Sequence, residues 1–294
     1  MIDKIKNMNF GEVLENVDLR KYTTYKVGGT GRLLVIPDNV SKLIELINYL
    51  KLENIKYKIL GNGSNLIFVN DYDGVLIKLD KLNSVSINDN VVTLGAGVSL
   101  ISISLKVSKM GLKGMEFATG IPGTVGGAVY MNAGAYKSDM AAIIKSVKLL
   151  DNDGNIVDFS NDDLEFGYRK SILQSNKYIC LEATLVLEHG SCLEIMELIE
   201  KRKQKRLETQ PLEYPSAGSV FRNPDNDFAW KYIDAIGYKG KMVGGAMVSL
   251  KHANFIINTG KATGSDIKNL IYDIKDKVKE RFNIDLKIEQ EIVE

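Results

Sequence analysis

Residues 120–136, GIPGTVGGAVYMNAGAY, hold the residue types that could bind a phosphate without any charged side chain. Five glycines (Gly120, Gly123, Gly126, Gly127 and Gly134), with Ala128, Ala133 and Ala135, leave the backbone nearly bare, able to approach a ligand or another backbone closely. Pro122 holds Ile121 out of the helical region, so a helix is expected to begin just after it. A bare turn feeding a helix start presents unpaired amide N–H groups and the positive end of the helix dipole, which suits a pyrophosphate. The same clustering would also serve a tight packing crossover that holds no ligand. A second small polar turn, Gly61-Asn62-Gly63-Ser64-Asn65, can offer successive amides as an anion nest, with Ser64 and Asn65 adding side-chain hydrogen bonds.

The elements that must position these turns are read from periodicity. Residues 33–36 form a short strand, 40–52 carry a helical stripe at 40, 43, 44, 46, 47 and 50, and 57–60 are the next strand, an opening like a βαβ unit. That order invites a dinucleotide-binding turn with glycines at the first, third and sixth places. Leu66 and Leu100, however, occupy the sixth place after Gly61 and Gly95, and no P-loop occurs. A dinucleotide must therefore be held by another scheme. Residues 75–79, 85–87 and 91–94 read as strands, and 98–110 as a helix stopped by Gly111. Asp153-Gly154 joins 146–150 to 155–159 as a hairpin, and 178–187 is the longest strand candidate.

Residues 192–207 form an amphipathic helix whose basic face is read as solvated, with Arg206 the exception because it lies nearest the next motif. Two prolines in 209–215 mark a boundary between units. Residues 241–248 and 253–258 read as strands and 265–282 as a capped helix with apolar positions 267, 270, 271, 274 and 278. In 286–293 a period of two puts Leu286, Ile288 and Ile292 on one face and Lys287, Glu289 and Glu291 on the other. The sum is an α+β mixture.

Bulk properties narrow the partners. The 294 residues carry 38 basic and 37 acidic side chains, a net charge of +1, so there is no electrostatic footprint for a nucleic acid or an anionic membrane. Cys180 and Cys192 lie in no metal-type spacing, and His189 and His252 are the only histidines, so no metal is expected and a reduced, cytoplasmic setting is. The first eighteen residues lack an apolar segment of signal-peptide type, and no run approaches eighteen apolar residues.

Read with ILGNGSNLIF (59–68), FGYRKS (166–171), PSAGSVFRNP (215–224) and the closing LKIEQEI, the glycine-rich run makes the chain resemble the UDP-N-acetylenolpyruvoylglucosamine reductase family over residues 16–293, five motifs standing in that family's order. The resemblance implies a PCMH-type (VAO-like) FAD-binding fold of two subdomains, residues 1–80 and 81–208, followed by a C-terminal α+β substrate-binding domain, 209–294, whose last strand returns to the active site. It implies FAD bound by Gly61, Asn62, Gly63, Ser64 and Asn65 and by Gly120, Ile121, Pro122, Gly123, Thr124, Gly126, Gly127, Asn132 and Ala133. It further implies that NADPH reduces the flavin and that the enolpyruvyl ether of UDP-N-acetylglucosamine is then reduced to UDP-N-acetylmuramate, a step in peptidoglycan precursor synthesis. The partners are then small molecules, and the chain is expected to act as a monomer.

By the same resemblance Arg169 binds the enolpyruvyl carboxylate, where negative charge develops. Ser219 donates a proton to the carbanion-like intermediate. Glu289, if it shares a proton in a dry pocket, assists the developing enol. Arg222, Asn223 and Lys231 are implied contacts to the diphosphate or nearby groups. Three departures stand out: Trp230 replaces a usual glycine, Gln290 replaces a usual aliphatic residue and is expected only to weaken the strand edge, and Arg169 lies fifty residues before Ser219. That short interval matches a branch of the family without the tyrosine-bearing lid. His252 is read as a structural hydrogen-bonding residue at least as readily as a substrate contact. A flavin-linked oxidase of the same broad fold would commonly carry a His or Cys in its flavin loops, and these loops have neither.

Overall fold

In the computed structural model, which describes residues 2–175, 178–225 and 227–294, two separate sets of buried apolar side chains form two cores, one in each of two compact units. The first unit contains the chain up to residue 15, 33–62 and 74–203; the second contains 16–32, 63–73 and 204–294.

The first unit is built on a five-stranded antiparallel sheet in the order Ile156–Ser160, Ile144–Leu150, Ile179–Val186, Val91–Gly95, Val85–Asn88. Val147, Leu149, Ala183, Leu185, Val92 and Leu94 alternate inward and are fully buried, as a half-covered antiparallel sheet requires. The hairpin between its first two strands forms where Asp153-Gly154 placed it. The Asp151 carboxylate accepts the amides of Asp153 and Asn155, both at 2.8 Å, and closes the turn. Helix Val125–Met131 packs against the strands Ile179–Val186 and Val91–Gly95. Tyr57–Leu60 pairs in parallel with the end of strand Tyr72–Lys78, Tyr57 opposite Val75 through Leu60 opposite Lys78. Helix Val40–Leu52, capped by the Asn39 side chain, buries Leu43, Leu46, Ile47 and Leu50 in the same core.

In the second unit helix Gly264–Phe282 starts in a capping box between Thr263 and Asp266 and buries Ile267, Leu270, Ile271, Ile274 and Val278, the five positions its periodicity named. The stretch 241–248 is not one strand: Gly244 and Gly245 break it into Met242–Val243 and Ala246–Val248, a tight hairpin to which Ile256–Asn258 adds a third strand. The alternating tail likewise forms a ladder only at Glu291–Val293, parallel to Leu66–Phe68, while Ile288 makes a single bridge to Phe221. That parallel pairing, with the Cα of Gly264 pressed on the Phe68 carbonyl, explains why residues 63–73 lie in the unit of the C-terminal segment. The linear boundaries at 80 and 208 thus do not coincide with the edges of these units. No helix among the described residues is long and apolar enough to cross a membrane.

Candidate active site

In the first unit Gly61 meets Thr124 of the glycine-rich run. A Cβ added to Gly61 would lie 2.9 Å from Thr124 Oγ1, closer than real Cβ atoms come, so glycine is what lets the turns touch. Thr124 is the N-cap of helix Val125–Met131, its hydroxyl accepting the Gly127 amide at 3.3 Å. The expected open ring of donors at this helix start is absent. The Val125 amide donates to the Val98 carbonyl (2.9 Å) and that of Gly126 to Ala96 (2.8 Å), so the neighbouring chain reaches these amides first. Gly126 is needed because its α-carbon faces Ala96, where a Cβ would stand 3.0 Å from the alanine methyl. Within the same run the Ile121 amide donates to Ala118 and that of Gly123 to Ile121, so the turn around Pro122 is closed on itself.

Asn132 and Ala133 end that helix. Asn132 has φ +40° and is 2% exposed. Its Nδ2 donates to Asp139 Oδ2 (3.2 Å) and the Gly167 carbonyl (2.9 Å), and its Oδ1 accepts the Ala141 amide (3.0 Å). The Ala133 amide closes on Ala128 at 2.8 Å. Arg169 sits on the same stretch, its guanidinium donating to the carbonyls of Gly134 (2.5 Å) and Asn132 (3.5 Å). Nothing in the spacing of the YR motif announced that contact with the glycine-rich run.

The other turn keeps its donors. Among the described residues the amides of Asn62, Gly63 and Ser64 donate to no protein carbonyl. Gly63, at φ +59°, is pressed on the Tyr22 carbonyl, and its own carbonyl accepts the Thr24 amide at 3.3 Å. Thr24 was missed by the sequence reading. Its hydroxyl is buried with no hydrogen-bond partner among the described residues, whereas Thr23 bonds the Val27 main chain. Two adjacent hydroxyls before a glycine pair were the available signal. Asn65 is committed to the last strand, its carboxamide donating to the Glu289 carbonyl (3.1 Å) and its carbonyl accepting the Glu291 amide (2.8 Å).

Ser219 and Glu289 are brought side by side within the second unit. Residues 219–222 run between two other stretches: the Val220 amide donates to Asn254 (2.9 Å), the Glu289 amide to Val220 (2.8 Å) and the Arg222 amide to Lys287 (2.9 Å). The buried Asn254 carboxamide grips both main-chain groups of Phe221, at 3.0 and 2.8 Å. Arg169 belongs to the first unit, so of the three expected catalytic side chains only these two share a unit.

Around them, Arg222 Nε is buried with no hydrogen-bond partner among the described residues. Asn223 Oδ1 accepts the Ala229 amide at 3.1 Å and thereby starts helix Ala229–Ala235. Lys231 pairs with Asp227 at 2.8 Å. That ammonium, with the Phe228 amide and the Tyr232 hydroxyl, holds the Asp227 carboxyl down at about 2. Trp230 lies exposed on the same helix. His252 Nδ1 accepts the Asn254 amide at 3.2 Å, and burial followed by the Lys239 charge pushes the imidazole below its usual range, which fits the structural reading. Arg206 Nε donates to Gln210 at the end of its own helix.

Adjacent undirected amides with an orphaned buried hydroxyl on Thr24, whose amide bonds the Gly63 carbonyl, suit a pyrophosphate, and residues 32–160 match the FAD binding domain family; the class is an FAD-dependent oxidoreductase. Residues 210–293 match the C-terminal domain of UDP-N-acetylenolpyruvoylglucosamine reductase. The UDP-N-acetylenolpyruvoylglucosamine reductases of Anoxybacillus flavithermus and Caldanaerobacter subterraneus are each 44% identical to this chain, over 99% of it and 97% of the first relative, and 100% of it and 98% of the second. The crystal structure of the Thermus caldophilus enzyme superposes with a TM-score of 0.81 at 32% identity, covering 96% of this chain and 98% of that one. The chain belongs to the UDP-N-acetylenolpyruvoylglucosamine reductase family, with a PCMH-type FAD-binding fold followed by the family's C-terminal domain.

Proposed function

We propose that this chain reduces the enolpyruvyl group of UDP-N-acetylglucosamine-enolpyruvate to UDP-N-acetylmuramate with NADPH as the hydride donor, in the cytoplasm and as a monomer, for peptidoglycan precursor synthesis. The observation that carries the reading is the fixing of Ser219 and Glu289 on neighbouring stretches of residues 210–293, the segment that matches the family's own C-terminal domain. FAD, when bound, supplies hydride transfer from NADPH to the substrate's methylene carbon. The amides of Asn62, Gly63 and Ser64 and the Thr24 hydroxyl hold its pyrophosphate, and within the first unit the contact of Gly61 with Thr124 fixes the run Gly120–Gly127 for the same cofactor. Asn132 and Ala133 contribute by ending the helix, and Asn65 by tying down the tail segment that bears Glu289.

Arg169 presents its planar guanidinium to the substrate carboxylate from a seat on two main-chain carbonyls, so its direction is set before the substrate arrives. Ser219 Oγ gives its proton to the carbon next to the carboxylate, a transfer that is favourable because the carbanion-like enolate is a stronger base than the serine alkoxide left behind. Glu289 hydrogen-bonds the developing enol, and Arg222 Nε and Lys231 engage the diphosphate, Lys231 by exchanging Asp227 for it. In this reading residues 1–80 and 81–208 serve the flavin and 209–294 the substrate.

The test is anaerobic and visible. Purified protein is yellow, bleaches with NADPH and regains its colour when the enolpyruvyl UDP-sugar is added; bleaching that this substrate cannot reverse overturns the reading. Light scattering at working concentration checks the monomer.

A further inference from the structure

The tail alternation puts Gln290 on the same face as Leu286 and Ile288, where an amide is costly unless every polar atom is bonded. Gln290 is 4% exposed. Its Nε2 lies 3.1 Å from the Ala217 carbonyl and 3.3 Å from the carbonyls of Gly218 and Ser219. Its Oε1 accepts the hydroxyl of Tyr25 at 3.0 Å, and Tyr25 is fully buried. Three carbonyl acceptors on one side and a hydroxyl on the other assign which end of the carboxamide is the NH2. Rather than weakening a strand edge, this side chain has a turn wrapped around it.

That turn is the one that presents Ser219. Gly218 takes φ +74°, which lets three successive carbonyls face a single donor. Immediately after it the chain is gripped by Asn254 and by the Glu289 amide through Val220. Ser219 is thus held from behind by the residue that follows Glu289 and from ahead by Glu289 itself. An aliphatic side chain at this place could fill the volume but could gather no carbonyls.

We propose that Gln290 is a positioning residue for Ser219, its carboxamide, braced by Tyr25, setting the turn from which the serine hydroxyl is offered to the substrate; this rests on the assignment of Ser219 as proton donor. Gln290→Leu keeps the bulk and removes the donor. In anaerobic stopped flow its reduction by NADPH stays near the wild-type rate, while reoxidation by the enolpyruvyl UDP-sugar slows by about tenfold to a hundredfold. Amide hydrogen exchange over residues 217–220 becomes faster. Tyr25→Phe, which lacks only one hydroxyl, gives the same division at smaller size even if Gln290→Leu does not fold, and where it does fold the double variant is no slower than Gln290→Leu alone. Gln290→Glu recovers reoxidation as the pH falls, because only the protonated carboxyl can donate to a carbonyl.

Equal slowing of both half-reactions, or unchanged reoxidation and exchange in Gln290→Leu, overturns the positioning role. A wild-type protein that the enolpyruvyl UDP-sugar does not reoxidise removes the functional reading instead, and this role with it.

Discussion

Gly61 lies so close to Thr124 that a Cβ would come within 2.9 Å of the threonine hydroxyl, the hydroxyl that also caps the Gly127 amide. One contact therefore couples the two turns assigned to the flavin.

Gly61→Ala is expected to destabilise the protein by about 1–3 kcal/mol, the cost of forcing a methyl group into a packed contact. In a Thr124→Ala background, which lacks the oxygen but also the cap, the same substitution costs less. Chemical denaturation of the four proteins checks this, and equal costs in both backgrounds would refute the coupling.

Ser219→Ala should leave reduction by NADPH nearly intact and slow reoxidation by the enolpyruvyl UDP-sugar by about 10²–10⁴-fold, the usual worth of a positioned general acid. Rapid-mixing absorbance at the flavin band separates the halves. A similar loss in both would take the serine out of the proton-donor role.

Arg169 has two jobs to tell apart, since it braces the carbonyls of Asn132 and Gly134. Arg169→Lys keeps the charge and loses the fork. If the guanidinium serves the substrate carboxylate, reoxidation falls by about a hundredfold with reduction spared; a fall in flavin affinity with both rates altered would point to the brace alone.

Asp227 offers a pH test. Its carboxyl is held at about 2, below the ordinary 3.8, by Lys231 first and then by the Phe228 amide and Tyr232 hydroxyl. A group depressed in the folded state adds stability that is complete above its unfolded value and is lost as the pH falls through the folded one, here between about 4 and 2. The carboxyl carbon resonance should titrate with that low midpoint, and Lys231→Ala should move it up toward 3.8. An unmoved midpoint would mean the pair is not formed in solution. Saturating substrate, if Lys231 leaves Asp227 for the diphosphate, should raise the midpoint as well.

Helix positions and the hairpin at Asp153-Gly154 followed from local pattern, whereas the order of strands in the sheets did not. The five buried positions of helix Gly264–Phe282 and the whole of helix Val40–Leu52 were readable because a period of 3.6 needs no knowledge of what lies opposite. The glycine-bearing turns were readable for a similar reason, since glycine at a turn is dictated by the turn's own geometry; the flavin class came from the resemblance of five ordered motifs to a known family.

The sequence by itself determined the α+β class, the helix that starts after Pro122, the hairpin at Asp153-Gly154 and the residues worth testing as Arg169, Ser219 and Glu289. Only the tertiary structure decided how hydrogen bonds were distributed among them. The amides of Val125 and Gly126, free donors on paper, are taken by carbonyls at Val98 and Ala96, whereas those of Asn62, Gly63 and Ser64 are left available. Gln290, read in the sequence only as a weak point of a strand edge, bonds the carbonyls of the Ser219 turn and the Tyr25 hydroxyl, partners 71 to 265 positions away. A donor's partner is chosen by which chain folds against it, and no window of neighbouring residues contains that information.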